Sequence, residues 1–306
     1  MPVIVVGNLS VGGTGKTPQI EYLVRLLKDA HKVAILSRGY KRKTEGFVML
    51  NETHSAEDVG DEPLQFYKKF KKINVAVDAN RVEGIKKIIA TKSPEIILLD
   101  DAFQHRKVKG SFYILLTKYN NLFVDDFLLP TGNLRENRSG ANRADVIVVT
   151  KCPKELDKNQ QENIKKKLQK YKKEIYFTTI SYAEKLSGSR QILIEELKDY
   201  QVLLVTGIAN PKPLTDFLSD KKVNYQHLKF ADHHHFSSTE INAIQQKFDA
   251  INSNRKIILT TEKDFVRLEG RLNEVSFLGI ETTFLDVTST SFNLLIKSHV
   301  QQNQRC

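Results

Sequence analysis

The chain has 306 residues, 40% of them hydrophobic and 27% charged, and Lys plus Arg outnumber Asp plus Glu by 47 to 36, a net charge of +11. That length suits two domains with real cores, and the charged fraction, with no apolar run of ~18 residues, excludes a polytopic membrane protein and a bilayer-spanning helix. Two cysteines, Cys152 and Cys306, without a CxxC spacing, exclude a disulfide framework and a thiolate metal site and fit a reducing compartment.

The chain begins almost directly with a strand rather than a signal peptide. A β-branched run at 3–6 feeds a glycine-rich stretch, and 21–28 reads as a helix with Tyr22, Leu23, Leu26 and Leu27 on one face. Strands follow at 33–36 and 75–77, an amphipathic helix at 81–90, and a continuous apolar strand at 96–99 that ends in two aspartates. Runs at 113–116 and 146–149 repeat the pattern; a lysine-rich helix spans 154–172, and 175–178 is a last strand. Residues 183–200 read as a connection. The alternation then restarts with strands at 202–205, 225–230 and 257–259, helices at 214–218 and 238–251, a strand at 284–287 and a helix from Ser291. Short buried strands alternating with helices predict an α/β protein. Its two parts are a P-loop NTPase-like parallel-sheet domain over 1–185, an α/β/α sandwich, and a smaller α/β/α domain over 186–306.

The stretch Gly12-Gly13-Thr14-Gly15-Lys16-Thr17 lies between an apolar strand and a helix. Glycines there let backbone N–H groups point at phosphate oxygens, and the helix N-terminus adds partial positive charge. Lys16 would reach the β- and γ-phosphates of a nucleotide, and the Thr17 hydroxyl would bind Mg²⁺. Ser10 stands where the usual pattern has its first glycine. Val11 stands where the deviant loops of partitioning ATPases carry a lysine.

Asp100 and Asp101 end a strand beside this loop, where P-loop enzymes hold Mg²⁺. Asp61 and Glu62, in the polar turn Gly60-Asp61-Glu62-Pro63, read better on their own as helix caps. In Asp232-His233-His234-His235 consecutive histidines cannot share one ion. A histidine paired with a carboxylate for proton transfer is the better functional reading. The positive charge favours an anionic partner, but runs such as Lys165-Lys166-Lys167 look much the same on a merely solvated surface. No basic stripe interleaved with aromatics marks a nucleic-acid interface, and no protein partner is evident. A nucleotide switch is the rival reading, although Thr150-Lys151-Cys152-Pro153 lacks the Asn-Lys-x-Asp of guanine-specific switches.

Several segments occur in a specific order. They are Gly7-Asn8-Leu9, the phosphate loop with Pro18, Ser37-Arg38-Gly39-Tyr40, Gly60-Asp61-Glu62-Pro63, and Asp78 with Arg81. Asp100-Asp101-Ala102-Phe103-Gln104-His105, Leu134-Arg135-Glu136, Arg143-Ala144-Asp145 and Asp232-His233-His234 complete the set. In this the sequence resembles the tetraacyldisaccharide 4′-kinase family over nearly its whole length. The resemblance implies ATP-dependent phosphorylation of the 4′-hydroxyl of a tetraacylated glucosamine disaccharide 1-phosphate, in lipid A biosynthesis of Gram-negative bacteria. It implies ATP and Mg²⁺ as cofactors, and a cytoplasmic enzyme peripheral on the inner membrane and its anionic surface. The site would lie in a cleft between the two domains. Asp61 would be the catalytic base, supported across the cleft by His233, or by His234. Asp100 and Glu136 would assist Mg²⁺, and Arg81, Asp101 and His105 would lie toward the substrate. Members of this family usually carry an N-terminal apolar helix before the first strand, which this sequence lacks, so membrane contact is expected to use other surfaces or a longer start.

Overall fold

A computed structural model describes residues 1–286 and 288–304. Cys306 and the Val287 end of the strand expected at 284–287 therefore lie outside the described residues. The strands are β1 (Val3–Asn8), β2 (Val33–Ser37), β3 (Val48–Met49), β4 (Asn74–Val77), β5 (Ile96–Asp100), β6 (Phe112–Lys118) and β7 (Val146–Thr150). They continue as β8 (Glu174–Tyr182), β9 (Ser187–Gly188), β10 (Gln201–Thr206), β11 (Asn224–Lys229), β12 (Lys256–Thr261), β13 (Val275–Leu278) and β14 (Ile280–Phe284). The α-helices are α1 (Lys16–Leu27), α2 (Ala56–Val59), α3 (Asp61–Lys69), α4 (Arg81–Lys92), α5 (Lys158–Leu168), α6 (Lys212–Asp220), α7 (Ser238–Asp249), α8 (Glu262–Leu268) and α9 (Thr288–Gln304).

Among the described residues, nine strands form one sheet in the order β14-β8-β7-β6-β1-β5-β2-β4-β3. Its central pairs are parallel, with β1 between β5 and β6, and short β3 runs antiparallel to β4. Strands buried on both faces need no alternation, which is why β2, β5 and β7 read as continuous apolar runs. On one face Val5, Ala34, Leu36 and Ala76 pack with Ile88 of α4. On another, Leu115, Ile147 and Val149 pack with Ile164 and Leu168 of α5 and with Phe103 and Phe123. The lysine-rich helix expected from 154 starts only at Lys158, because Asp157 caps it and closes a capping box with Gln160.

The second sheet, among the described residues, has five strands in the order β11-β10-β12-β13-β9. Here β10 shows the two-residue period of a sheet with both faces covered. Val202 and Leu204 pack with Leu214 and Leu218 of α6. Leu203 and Val205 pack with Ile241, Ile244 and Phe248 of α7 and Phe265 and Leu268 of α8. Neither β13 nor α8 shows as an element in the sequence pattern.

Two compact units result, and both are discontinuous in sequence, so their limits differ from a single cut between 185 and 186. One comprises Met1–Glu52, Phe66–Ser181 and the chain from Glu281 onward; the other comprises Thr53–Gln65 and Tyr182–Ile280. The segment carrying Asp61 therefore belongs with the 182–280 sheet, which corrects the expectation that Asp61 and His233 stand on different domains.

Candidate active site

The first group of site residues gathers where parallel strands end. In such sheets the loops at the carboxyl ends of the strands share one edge, the usual place for ligands. Val6 of β1 is level with Asp100 of β5, so the phosphate loop that follows Asn8 and the acidic pair that follows Leu99 leave the sheet side by side. The loop geometry needs its glycines. Gly15, the N-cap of α1, has φ 86°, and Gly12 has φ 88°, left-handed values that cost other residues strain. Pro18 is harmless in the first turn of α1, where N–H groups have no helical acceptor. Beyond it Ile20, Leu23, Val24 and Leu27 recur on one buried face.

Side chains fix the loop from both sides. Asn8 Nδ2 donates to Thr14 Oγ1 at 2.8 Å, and Thr150 Oγ1 donates to the Thr14 carbonyl at 2.8 Å. The Val11 amide donates to the Asn133 carbonyl at 2.8 Å and the Arg135 amide to the Leu9 carbonyl at 2.7 Å, so the segment with Arg135 and Glu136 runs along the loop. Arg135 grips Asp101 with both terminal nitrogens, at 2.8 and 3.2 Å, and Lys16 Nζ lies 3.6 Å from the same carboxylate. Burial pushes the Asp101 pKa up, but Lys16 and Arg135, with Arg81 beyond them, outweigh it and hold Asp101 below the usual aspartate value. Asp101 also has φ 46°, a left-handed value uncommon outside glycine and typical of functional turns.

Asp100 accepts from Ser37 Oγ at 2.8 Å, and its carbonyl accepts from Arg81 Nη2 at 3.2 Å. Arg81 is buried, donates from Nη1 to the Asp78 carbonyl at 2.5 Å, and is pushed down to about 10, chiefly by burial. Glu136 is bound by Arg143 at 2.7 and 2.9 Å and by Gln104 Nε2 at 2.9 Å. His105 is held below its ordinary pKa by burial first, then by the cations Arg81, Lys107 and Arg38. Buried His105 Nε2 and Arg81 Nε have no hydrogen-bond partner among the described residues. Lys151 is a further cation here, lowered by burial and by Lys118 and Lys16. Sequence reading gave it no role, and nothing in its Thr-Lys-Cys-Pro context marks one.

The donor set suits a small hard cation. It offers a threonine hydroxyl at the loop and carboxylates on the adjacent strand, the oxygen chemistry with which Mg²⁺ is held beside phosphates. Among the described residues no group of three His, Cys, Asp or Glu side chains gathers as a metal cage.

The second group of residues belongs to the other unit. Ser55 caps α2 in a capping box with Asp58, and Gly60, at φ 94°, makes the turn that starts α3 on Asp61. The Asp61 side chain is 1% exposed. His233 Nδ1 lies 2.8 Å from Asp61 Oδ2, and Arg267 Nε donates to Oδ1 at 2.5 Å. Burial works to raise the Asp61 pKa, but the bonds from His233 and Arg267 outweigh it and the carboxyl is held low. His233 has φ 58° and donates its amide to the Gly207 carbonyl at 3.1 Å. The three histidines part ways, His234 to Glu240 at 2.9 Å and His235 to Glu57 at 3.6 Å. The histidine that faces Asp61 is thus His233 and not His234.

This chain matches the family model described as tetraacyldisaccharide-1-P 4′-kinase over residues 1–301. The chain belongs to the tetraacyldisaccharide-1-P 4′-kinase family. It is 51% identical to the tetraacyldisaccharide 4′-kinase of Flavobacterium johnsoniae over 99% of this chain and 88% of that protein. It is 42% identical to the tetraacyldisaccharide 4′-kinase of Bacteroides thetaiotaomicron over 100% of this chain and 86% of that one. Among solved structures it resembles an "apo" form of LpxK from Aquifex aeolicus in complex with ATP. The TM-score is 0.77 at 31% identity, covering 98% of this chain and 89% of the other.

Arg267 and Lys263, which surround the Asp61–His233 pair, were missed in the sequence. Their signal was the Thr261-Glu262-Lys263-Asp264 start of α8, where Thr261 accepts from the Asp264 amide.

Proposed function

We propose that this kinase transfers the γ-phosphate of ATP to the 4′-hydroxyl of tetraacyldisaccharide 1-phosphate, giving the bis-phosphorylated lipid of the lipid A pathway. The observation that carries the reading is a fixed phosphate loop and a buried carboxylate–imidazole pair in a chain that matches the kinase family over residues 1–301. The amides of Gly12, Gly13, Thr14, Gly15, Lys16 and Thr17 cradle the triphosphate, and the Lys16 ammonium neutralises charge on its outer phosphates. Thr17, Asp100 and Glu136 are the residues that would hold Mg²⁺. Bound there, Mg²⁺ would supply charge neutralisation to the triphosphate.

Asp61 accepts the proton of the attacking hydroxyl, and His233 keeps the carboxylate oriented. A carboxylate held well below neutrality is a weak base. Phosphoryl transfer asks little of its base, because catalysis rests mainly on positioning and charge. Asp101 fixes Lys16 and Arg135 at the loop, while Arg81 and His105 present buried nitrogens for the polar groups of the substrate. We place the enzyme at the cytoplasmic face of the inner membrane, held by its basic surface; among the described residues no helix is long and apolar enough to cross a bilayer.

Nucleotide turnover tests the reading against a switch. ATP consumption is measured with and without the disaccharide lipid. The kinase reading expects consumption stoichiometric with acceptor; steady hydrolysis indifferent to acceptor contradicts it.

A further inference from the structure

α8 carries Lys263 and Arg267 four residues apart, hence on one face of the helix. Both reach the Asp61–His233 pair. Arg267 gives Nε to Asp61 Oδ1 at 2.5 Å and Nη1 to the His234 carbonyl at 3.0 Å. One planar guanidinium therefore ties the carboxylate to the backbone that bears the imidazole. The side chains of Arg267 and Asp61 are 8% and 1% exposed, so water does little to loosen the link. Lys263 Nζ lies 3.0 Å from His233 Nε2 and 3.1 Å from Asp232 Oδ1. An ammonium has only hydrogens to give, so Nε2 must accept. The ring proton then sits on Nδ1 and is donated to Asp61 Oδ2.

We propose that Arg267 and Lys263 are positioning residues for phosphoryl transfer: Arg267 locks the Asp61 carboxylate, and Lys263 selects the His233 tautomer that donates to it. The proposal rests on the reading of Asp61 as proton acceptor. The other charged groups that face the pair are Asp232, 4.0 Å from His233 Nε2, and Asp264, next in sequence to Lys263 and raised chiefly by burial and in smaller part by the charge of Asp61. Burial alone drives the Asp61 pKa upward, and Arg267 is one of the two partners that oppose it. Removing Arg267 therefore moves the acid limb of the rate profile to higher pH. A loss of folded protein lowers the rate without moving that limb.

Two measurements on the full chain test this. The first is the pH profile of kcat, with KM for ATP, for wild type, Arg267→Ala and Arg267→Lys. The expected result for Arg267→Ala is a fall in kcat of about tenfold to a hundredfold, an unchanged KM for ATP and an acid limb displaced upward. Arg267→Lys, which keeps the charge and loses the fork, returns the limb toward wild type. An unmoved limb in Arg267→Ala overturns the role of Arg267. The second is nitrogen NMR of the histidine rings without substrate, with His233 assigned by His233→Gln. Wild type is expected as the Nδ1–H tautomer, and Lys263→Met as a mixture. An Nε2–H wild type, or an unchanged tautomer in Lys263→Met, overturns the role of Lys263. Because the second measurement needs no turnover, a wild type inactive toward the lipid defeats the assigned reaction without deciding the positioning.

Discussion

On the proposed mechanism, Lys16, at 3.6 Å from Asp101, and Asp61, between His233 and Arg267, are the two places where single side chains matter most. Lys16→Ala removes the cation that meets developing phosphate charge, and the expected loss is on the order of several kcal/mol of transition-state stabilisation. The kcat/KM for ATP checks it, and wild-type activity contradicts the loop assignment. Asp61→Ala and His233→Ala should each cut turnover about a hundredfold or more while calorimetry finds ATP affinity little changed, because neither residue lies on the phosphate loop. Asp61 and Asp101 both sit below the ordinary aspartate value. A group depressed in the folded state adds stability that is complete above its unfolded value, about 3.9, and is lost as pH falls through the lower folded value. Denaturant midpoints are thus expected to hold down to about pH 4 and to drop below it; a loss beginning near neutrality contradicts the assignment of these two carboxylates.

α7 shows how one helix start supports the histidine segment. Ser237 caps it in a reciprocal box with Glu240, and Glu240 also meets His234 at 2.9 Å. The bonds from Ser237, backbone first and then side chain, together with His234, pull the Glu240 pKa down to about 2. Ser237→Ala is expected to cost about 1 kcal/mol. The deficit, read as a difference in Tm, should be full above about pH 4.5 and shrink as pH falls toward 2, where Glu240 protonates in both proteins. Elements of this kind were largely legible in the sequence. Long apolar runs gave β1, β2, β5 and β7, and Gly-Lys-Thr between strand and helix gave the loop. What escaped was short or carried by tertiary contact. The seven residues of α8 are too few for a period, and two-residue strands such as β9 have none. The placement of Asp61 escaped for another reason. Its segment at Thr53–Gln65 leaves the chain's first unit and joins the second, and no local pattern reports that excursion.

At the scale of the whole molecule, the net charge of +11 is what motivates the proposed hold at an anionic surface. Sedimentation with phosphatidylglycerol vesicles should capture the protein at low salt and release it as ionic strength rises, since exposed charges are screened beyond about 8 Å at physiological salt. Salt-insensitive binding contradicts an electrostatic hold. The proposed reaction needs the phosphate loop and the Asp61–His233 pair to serve one transfer to one hydroxyl. Mass spectrometry of the lipid after incubation with ATP and Mg²⁺ asks that directly. The predicted result is one added phosphate on the 4′-oxygen of tetraacyldisaccharide 1-phosphate, formed by the wild-type protein and lost in both Lys16→Ala and Asp61→Ala. An unmodified lipid, or a phosphate added equally well by either variant, would contradict it.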